Sequence, residues 1–295
     1  MLKRLREKHP YLYCVLAVVL FMAMMMAGQF LFSMAVVLLG PPALIQLFDS
    51  EPYLLQGINE IFAFLAALLL LWRTQKLRVF TRRGTGFWDG LLVGIFPFVL
   101  LGLSLSVNVG ILGPPEGSTP KAVWQVVVFL IAMFLIGLAE EALFRGVIAQ
   151  TLLEHCGASR AGIWKAVVLS GLIFGAGHAV NILESAPLGV LIQVCITASL
   201  GILYAAIYFR TGNLWVLVFL HALQDTAALI NSGLYEGTEG IAEAVSSYDP
   251  SMLYAVLLYL IPTVILLRKS RLPEVAIFSE VEPPQPAVEQ PQTES

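Results

Sequence analysis

Apolar runs close to or beyond 20 residues recur along this chain, and that recurrence restricts its fold more than any other feature. A bilayer's hydrocarbon core is about 30 Å thick, so a helix rising 1.5 Å per residue needs about 20 apolar residues to cross it. Polar or Gly/Pro punctuation places the helices near 11–39, 57–73, 87–112, 121–153, 162–182, 187–209, 213–231 and 251–267. The expected fold class is all-α, a polytopic membrane protein of about eight transmembrane helices enclosing a buried polar site. Composition agrees, with 58% hydrophobic and 13% charged residues, where soluble domains are about half apolar and a quarter charged. The basic N-terminal stretch precedes a run, Tyr11 to Leu39, too long for a signal-peptide core, so it counts as the first span.

Charge alternates along the connections. The segments 1–10, 73–83 and 154–165, Arg210 and 268–271 are basic, which marks the cytoplasmic side. The alternate connections, 40–56, 113–120, 183–186 and 232–250, hold Asp49, Glu51, Glu116, Glu184, Glu236, Glu239, Glu243 and Asp249 and no Lys or Arg. An even number of spans with both termini cytoplasmic, in a bacterial inner membrane, satisfies this pattern. Residues 272–295 are rich in Pro, Glu and Gln and are expected to be a disordered cytoplasmic tail. Cys14, Cys156 and Cys195 show no paired or metal-type spacing and are expected to be free thiols.

A charge at mid-bilayer costs about 2.5–3.5 kcal/mol even on lenient insertion scales, so intramembrane ionisable residues need partners or functions. They concentrate in three helices, as Glu140-Glu141-Ala142-Leu143-Phe144-Arg145, Phe174-Gly175-Ala176-Gly177-His178 and His221-Ala222-Leu223-Gln224-Asp225. Glu141 and Arg145 are spaced i,i+4 with the acid N-terminal, the favourable order for one helix face. Glu140 points about 100° away around the helix and needs another partner or a function. His221 and Asp225 are also i,i+4, so the carboxylate can orient the imidazole. Counted along their helices from the 154–161 connection, Glu140 and His178 lie roughly 21 and 26 Å deep, while His221 lies roughly 12 Å beyond Asn213. Tilt or a submerged connection must supply the difference. The Gly171-to-Gly175 small-xxx-small face lets a neighbouring backbone approach and bring His178 toward partners.

Plainer readings apply to several of these residues. A same-helix pair explains Glu141 and Arg145 as structural. Either histidine alone would more often be a packing residue than a ligand or base. His9 and His155 lie in solvated basic segments, and Glu60 and Asp89 lie near expected helix starts, where a carboxylate complements the dipole. Convergence of Glu140, His178, His221 and Asp225 on one site favours function.

Glu-Glu-x-x-x-Arg, then Phe-x-x-x-His, then His-x-x-x-Asp on successive helices resembles the CPBP family over roughly residues 121–231. That family comprises the Rce1-like type II CAAX prenyl proteases and the bacteriocin-processing, or Abi, intramembrane proteases. The resemblance implies an intramembrane peptidase with Glu140, His178, His221 and Asp225 catalytic, supported by Glu141, Arg145 and Phe174. By that implication Glu140 is the general base that activates water, His178 holds or polarises it, and His221 stabilises the oxyanion. The eukaryotic prenyl proteases have Asn where this chain has Asp225, and an ionised Asp cannot donate to an oxyanion, so Asp225 is expected to support His221, or itself to accept a metal or a protonated imidazole.

The same four residues, Glu140, His178, His221 and Asp225, are also an acceptable ligand set for a divalent metal such as Zn²⁺, as in a metalloprotease, although no His-Glu-x-x-His helix is present. The cofactor is therefore either none or such a metal. The implied organisation is three N-terminal spans over 1–120, the catalytic core over 121–231, an outer loop and last span over 232–271, and the tail. The partners implied are a peptide or membrane-protein substrate and the lipid bilayer, with no nucleic-acid signature. The competing readings are a non-catalytic membrane adaptor or chaperone, which complete motifs disfavour, and a proton-coupled transporter, which lacks the expected internal repeats.

Overall fold

A computed structural model describes residues 2–238, 240–272 and 275. The remainder of the expected disordered tail, and Glu239 of the acidic connections, lie outside the described residues. The chain is an all-α polytopic membrane protein. A short amphipathic α1 (Leu2–Lys8) leads into α2 (Pro10–Leu39), then α3 (Pro42–Ser50) and α4 (Pro52–Arg73). Next come α5 (Phe87–Val93) and α6 (Ile95–Leu105), separated at Gly94, the latter widening into a π-helix over Ser106–Leu112. α7 (Val123–Glu141) runs through a π-helix (Ala142–Ala149) into α8 (Gln150–Cys156), and α9 (Arg160–Gly177) tightens into a 3₁₀ segment, His178–Leu183. α10 (Pro187–Thr211), α11 (Leu214–Ala228), α12 (Ile230–Leu234), α13 (Ile241–Ser246) and α14 (Tyr254–Leu266) complete the bundle. Helices α2, α3, α4 and α10 each begin on a proline, where a missing N–H costs nothing because the first turn has no intrahelical acceptor.

Six helical stretches are long and apolar enough to cross a membrane, namely Pro10–Leu39, Pro52–Arg73, Ile95–Leu112, Val123–Cys156, Arg160–Leu183 and Pro187–Thr211. The expected spans near 213–231 and 251–267 are instead shorter apolar helices, Leu214–Ala228 and Pro250–Leu266. α11 starts where expected and ends early, at Leu229, where φ of −113° breaks the helix before α12. The α10–α11 turn is buried, with Thr211 and Asn213 0% and 4% exposed. Segment 83–85 clasps it: Thr85 N–H donates to the Thr211 carbonyl at 2.9 Å, and Asn213 Nδ2 donates to the Arg83 carbonyl at 3.1 Å. Asn213 Oδ1 also caps α11 by accepting from Trp215 N–H at 3.0 Å. The α10–α11 connection is therefore held inside the protein against residues 83–85.

α10 is the most buried span and α2 among the least, so the bundle is built around α10 with α2 at its rim. The ends of the bundle are chemically distinct. On the basic face, Arg6 and Lys76 both pair with Glu154, at 2.6 and 3.0 Å, which ties α1 and the 73–83 segment to α8. At the opposite end a two-residue antiparallel ladder joins β1 (Thr119–Pro120) to β2 (Tyr235–Glu236), and Gln125 Nε2 donates to both Glu51 and Glu236. The three cysteines are free, Cys14 buried, Cys156 half-buried and Cys195 exposed.

Candidate active site

α7, α11, α9 and α4 carry the polar residues, and two glycines set how closely these helices approach. A Cβ added at Gly137 would lie 2.9 Å from the Val218 carbonyl oxygen and 3.1 Å from the Ala222 nitrogen, so only a glycine lets α11 lie this close to α7. His221 consequently reaches the Glu140–Glu141 pair one turn further along α7. The Gly171–Gly175 face packs on α10 instead, where a Cβ at Gly175 would lie 2.7 Å from the Val194 carbonyl oxygen. The expectation that this face brings His178 to its partners is thus corrected: it seats α9 on α10. Gly137→Ala is expected to destabilise the protein by about 1–3 kcal/mol, the usual cost of forcing volume into packed helices. Gly102→Ala, where a Cβ meets nothing within 4 Å, is the control. Thermal unfolding in detergent compares them, and equal melting temperatures would refute the close-approach role.

His221 is the hub. Its Nδ1 lies 2.7 Å from Glu141 Oε1, and its Nε2 lies 3.6 Å from both Glu140 Oε2 and Asp225 Oδ2. Because a carboxylate only accepts, Nδ1 is the protonated nitrogen of that bond. Sequence spacing assigns the orientation of His221 to Asp225, but the close partner is Glu141, which also accepts from Arg145 Nη1 at 2.8 Å. The purely structural reading of Glu141 is corrected accordingly: one oxygen bridges Arg145 and His221. Arg145 is fully buried, its guanidinium lying over the rings of Phe174 and Tyr204 at 4.8 and 5.4 Å. Its Nη2 donates to the Gly201 carbonyl at 3.3 Å, so this residue joins α7, α9 and α10.

Adjacent glutamates occupy opposite environments. Glu141 is 0% exposed, whereas Glu140 and Asp225 keep 20% and 22% of their side-chain surface accessible. Glu140 Oε2 and Asp225 Oδ2 have no hydrogen-bond partner among the described residues. The π-helix begins immediately after this pair, a distortion found often at functional sites.

His178 stands apart. It caps α9, and its Nδ1 donates to the Phe174 carbonyl at 3.1 Å, which leaves Nε2 as the acceptor of the neutral ring. The Phe174 ring stands T-shaped to both imidazoles, 5.0 Å from His178 and 5.8 Å from His221. No hydrogen bond or ion pair joins His178 to Glu140, His221 or Asp225 among the described residues. The set Glu140, His178, His221 and Asp225 does not fit a metal site in this arrangement. The Nδ1 bonds of His221 and His178 leave each Nε2 available, but no group of three or more His, Cys, Asp or Glu among the described residues is placed to hold a metal ion.

Glu60 belongs to the same region. It is the ninth residue of α4, not part of its first turn, so the helix-dipole reading is corrected; that reading does suit Asp89, in the first turn of α5. Glu60 is 4% exposed, accepts from Gln56 Nε2 at 2.7 Å, and interacts electrostatically with Glu140, Asp225 and His221, while its Oε2 has no hydrogen-bond partner. The signal for it in the sequence was only that an acid lies within an apolar run. From the acidic end, half-buried Tyr248 also approaches Asp225; burial pushes its phenol pKa up, and the Asp225 charge adds to this.

Comparison with known proteins agrees with the motif resemblance. Residues 122–227 match the family described as type II CAAX prenyl endopeptidase Rce1-like. The candidate membrane peptidase YdiL of Bacillus subtilis (strain 168) is 26% identical over 192 residues, covering 59% of this chain and 71% of the relative. No solved structure matches the chain. The matched segment contains Glu140, Glu141, Arg145, Phe174, His178, His221 and Asp225, so residues 122–227 are similar to the Rce1-like type II CAAX prenyl endopeptidases, which supports the CPBP family.

Proposed function

We propose that this protein is an intramembrane endopeptidase in which Glu140 activates water for attack on a peptide carbonyl. The observation that carries the reading is the contrast within the Glu140–Glu141 pair. Glu141 is sealed and doubly bonded, while Glu140 keeps accessible surface and an oxygen with no hydrogen-bond partner, 3.6 Å from His221 Nε2. A base needs that freedom, because it must take a proton from water and later return it to the leaving amine. Glu141 holds His221 through Nδ1, so Nε2 faces the reacting groups; as imidazolium it donates to the oxyanion of the tetrahedral intermediate. His178, with Nδ1 bound to Phe174, presents Nε2 to accept from the attacking water. Asp225 faces Nε2 on the same side as Glu140 and balances the charge that develops on His221.

The substrate is a peptide or membrane-protein segment that enters from the lipid. Comparative proteomics of membranes holding wild type or Glu140→Gln identifies it by the cleavage products missing from the variant. Identical product sets at equal abundance would defeat the reading.

In this proposal the end bearing Arg6, Lys76 and Arg268 faces the cytoplasm of a bacterial membrane, and both termini lie on that side. Reporter fusions after residues 8, 80 and 271 are expected to report cytoplasmic locations, and fusions within 113–118 an external one. An external signal at 80 would overturn the orientation.

A further inference from the structure

Away from the polar cluster, a cavity of about 590 Å³ lies between the α5–α6 pair and α14. Its walls are apolar, from Val93 and Phe96 on one side to Leu258, Ile261 and Ile265 on the other, and Leu203 of α10 forms part of the lining. Arg210, Arg268 and Arg271 also line it, and no acidic residue does among the described residues. These arginines gather at one end, since Arg210 Nη1 donates to the Leu266 carbonyl at 3.0 Å, two residues before Arg268. Ile95, Ile261 and Ile265 are also exposed on the bundle surface, so the cavity is open to lipid.

Dimensions and charge together specify an occupant. From Leu258 to Arg268 is ten residues, or roughly 15 Å along a helix, and half of a bilayer core about 30 Å thick is the depth of one leaflet. A slot one leaflet deep, apolar along its length and cationic at the membrane–water boundary, matches an acyl chain attached to a phosphate. Basic pockets between helices at that boundary recognise anionic headgroups, and arginine forks suit phosphate oxygens. Both walls are also weakened as helices: α5 and α6 break at Gly94, and Pro262 within α14 cannot donate to the Leu258 carbonyl. From these features we infer that the cavity is a binding site for an anionic phospholipid of the leaflet on the basic face. The site is separate from the proposed peptidase centre, and its existence does not depend on that chemistry.

The full-length protein, purified in detergent, is titrated with dioleoyl-phosphatidylglycerol or dioleoyl-phosphatidylcholine and read by native mass spectrometry. Wild type is expected to retain the anionic lipid at least tenfold more tightly, and the exposed double variant Arg268→Gln/Arg271→Gln to lose that preference. Ile261→Trp, which fills the slot, is expected to weaken retention of both lipids; Ile265→Trp on the same wall replaces it if it fails to fold. Equal retention of the two lipids by wild type would overturn the site. So would a double variant that binds like wild type, a filled slot without effect, or full displacement of the lipid by glycerol 3-phosphate, which has the phosphate but no chain.

Discussion

Glu140→Gln is expected to slow peptide cleavage by about 10²–10⁴-fold, the range that a positioned general base supplies, with melting temperature and membrane abundance unchanged. Gln keeps the size and hydrogen-bonding capacity of Glu but cannot take the proton of water. Folding should tolerate it, because Glu140 Oε2 makes no hydrogen bond and the side chain is partly accessible. The neighbouring acids distinguish chemistry from local electrostatics. Asp225→Asn keeps a polar group beside His221 Nε2 and is expected to retain substantial activity, since the shorter contact to that ring is from Glu141 at 2.7 Å. Glu60→Gln removes an ionisable group coupled to Glu140 and Asp225 without touching the proposed oxyanion donor, so it is expected to shift the pH profile of cleavage more than its maximum. Single-turnover rates on an identified substrate decide the matter. A Glu140→Gln protein that cleaves as fast as wild type removes Glu140 from the chemistry.

Arg145→Ala is expected to be the most destabilising single change in the core, by about 3–5 kcal/mol, the usual result of removing one partner of a buried ion pair. Three losses coincide: the Glu141 carboxylate loses its cation, the Gly201 carbonyl loses a donor, and the Phe174 and Tyr204 rings lose the guanidinium between them. Reduced accumulation and a lower melting temperature in detergent are the readouts. Removing both charges as Glu141→Leu/Arg145→Leu should restore much of the folded abundance, because neither charge of the pair is then left without the other. Cleavage should not recover, since His221 Nδ1 has lost its acceptor. An Arg145→Ala protein of wild-type stability, or a fully active double variant, contradicts this account of the pair.

The membrane fold was readable locally because the bilayer imposes a length and a composition on each span, and Pro10–Leu39 or Pro187–Thr211 satisfy both within their own residues. Leu214–Ala228 was overextended at its C-terminal end, where Leu229 leaves the helix before Ile230–Leu234. Its start is set by contacts of Asn213 and Thr211 with residues 83–85, some 130 positions away, and hydropathy carries no trace of a buried turn. The π-helix after Glu141 was not anticipated, since Ala142–Ala149 holds only one glycine, Gly146, and no proline.

For the polar cluster, the sequence by itself determined which residues were anomalous: Glu140, Glu141, Arg145, His178, His221 and Asp225 are costly in lipid wherever they point. It also determined the i,i+4 pairing of Glu141 with Arg145, which helical periodicity alone enforces. Only the tertiary structure decided that Glu141, rather than Asp225, is the close partner of His221, and that Glu60 joins the cluster from α4. It likewise decided that Phe174 contacts both imidazoles. Each of these is a relation between different helices. Periodicity reports which face a residue occupies, while the approach of two faces is set where a side chain is absent, as at Gly137, and single-helix patterns do not encode that distance.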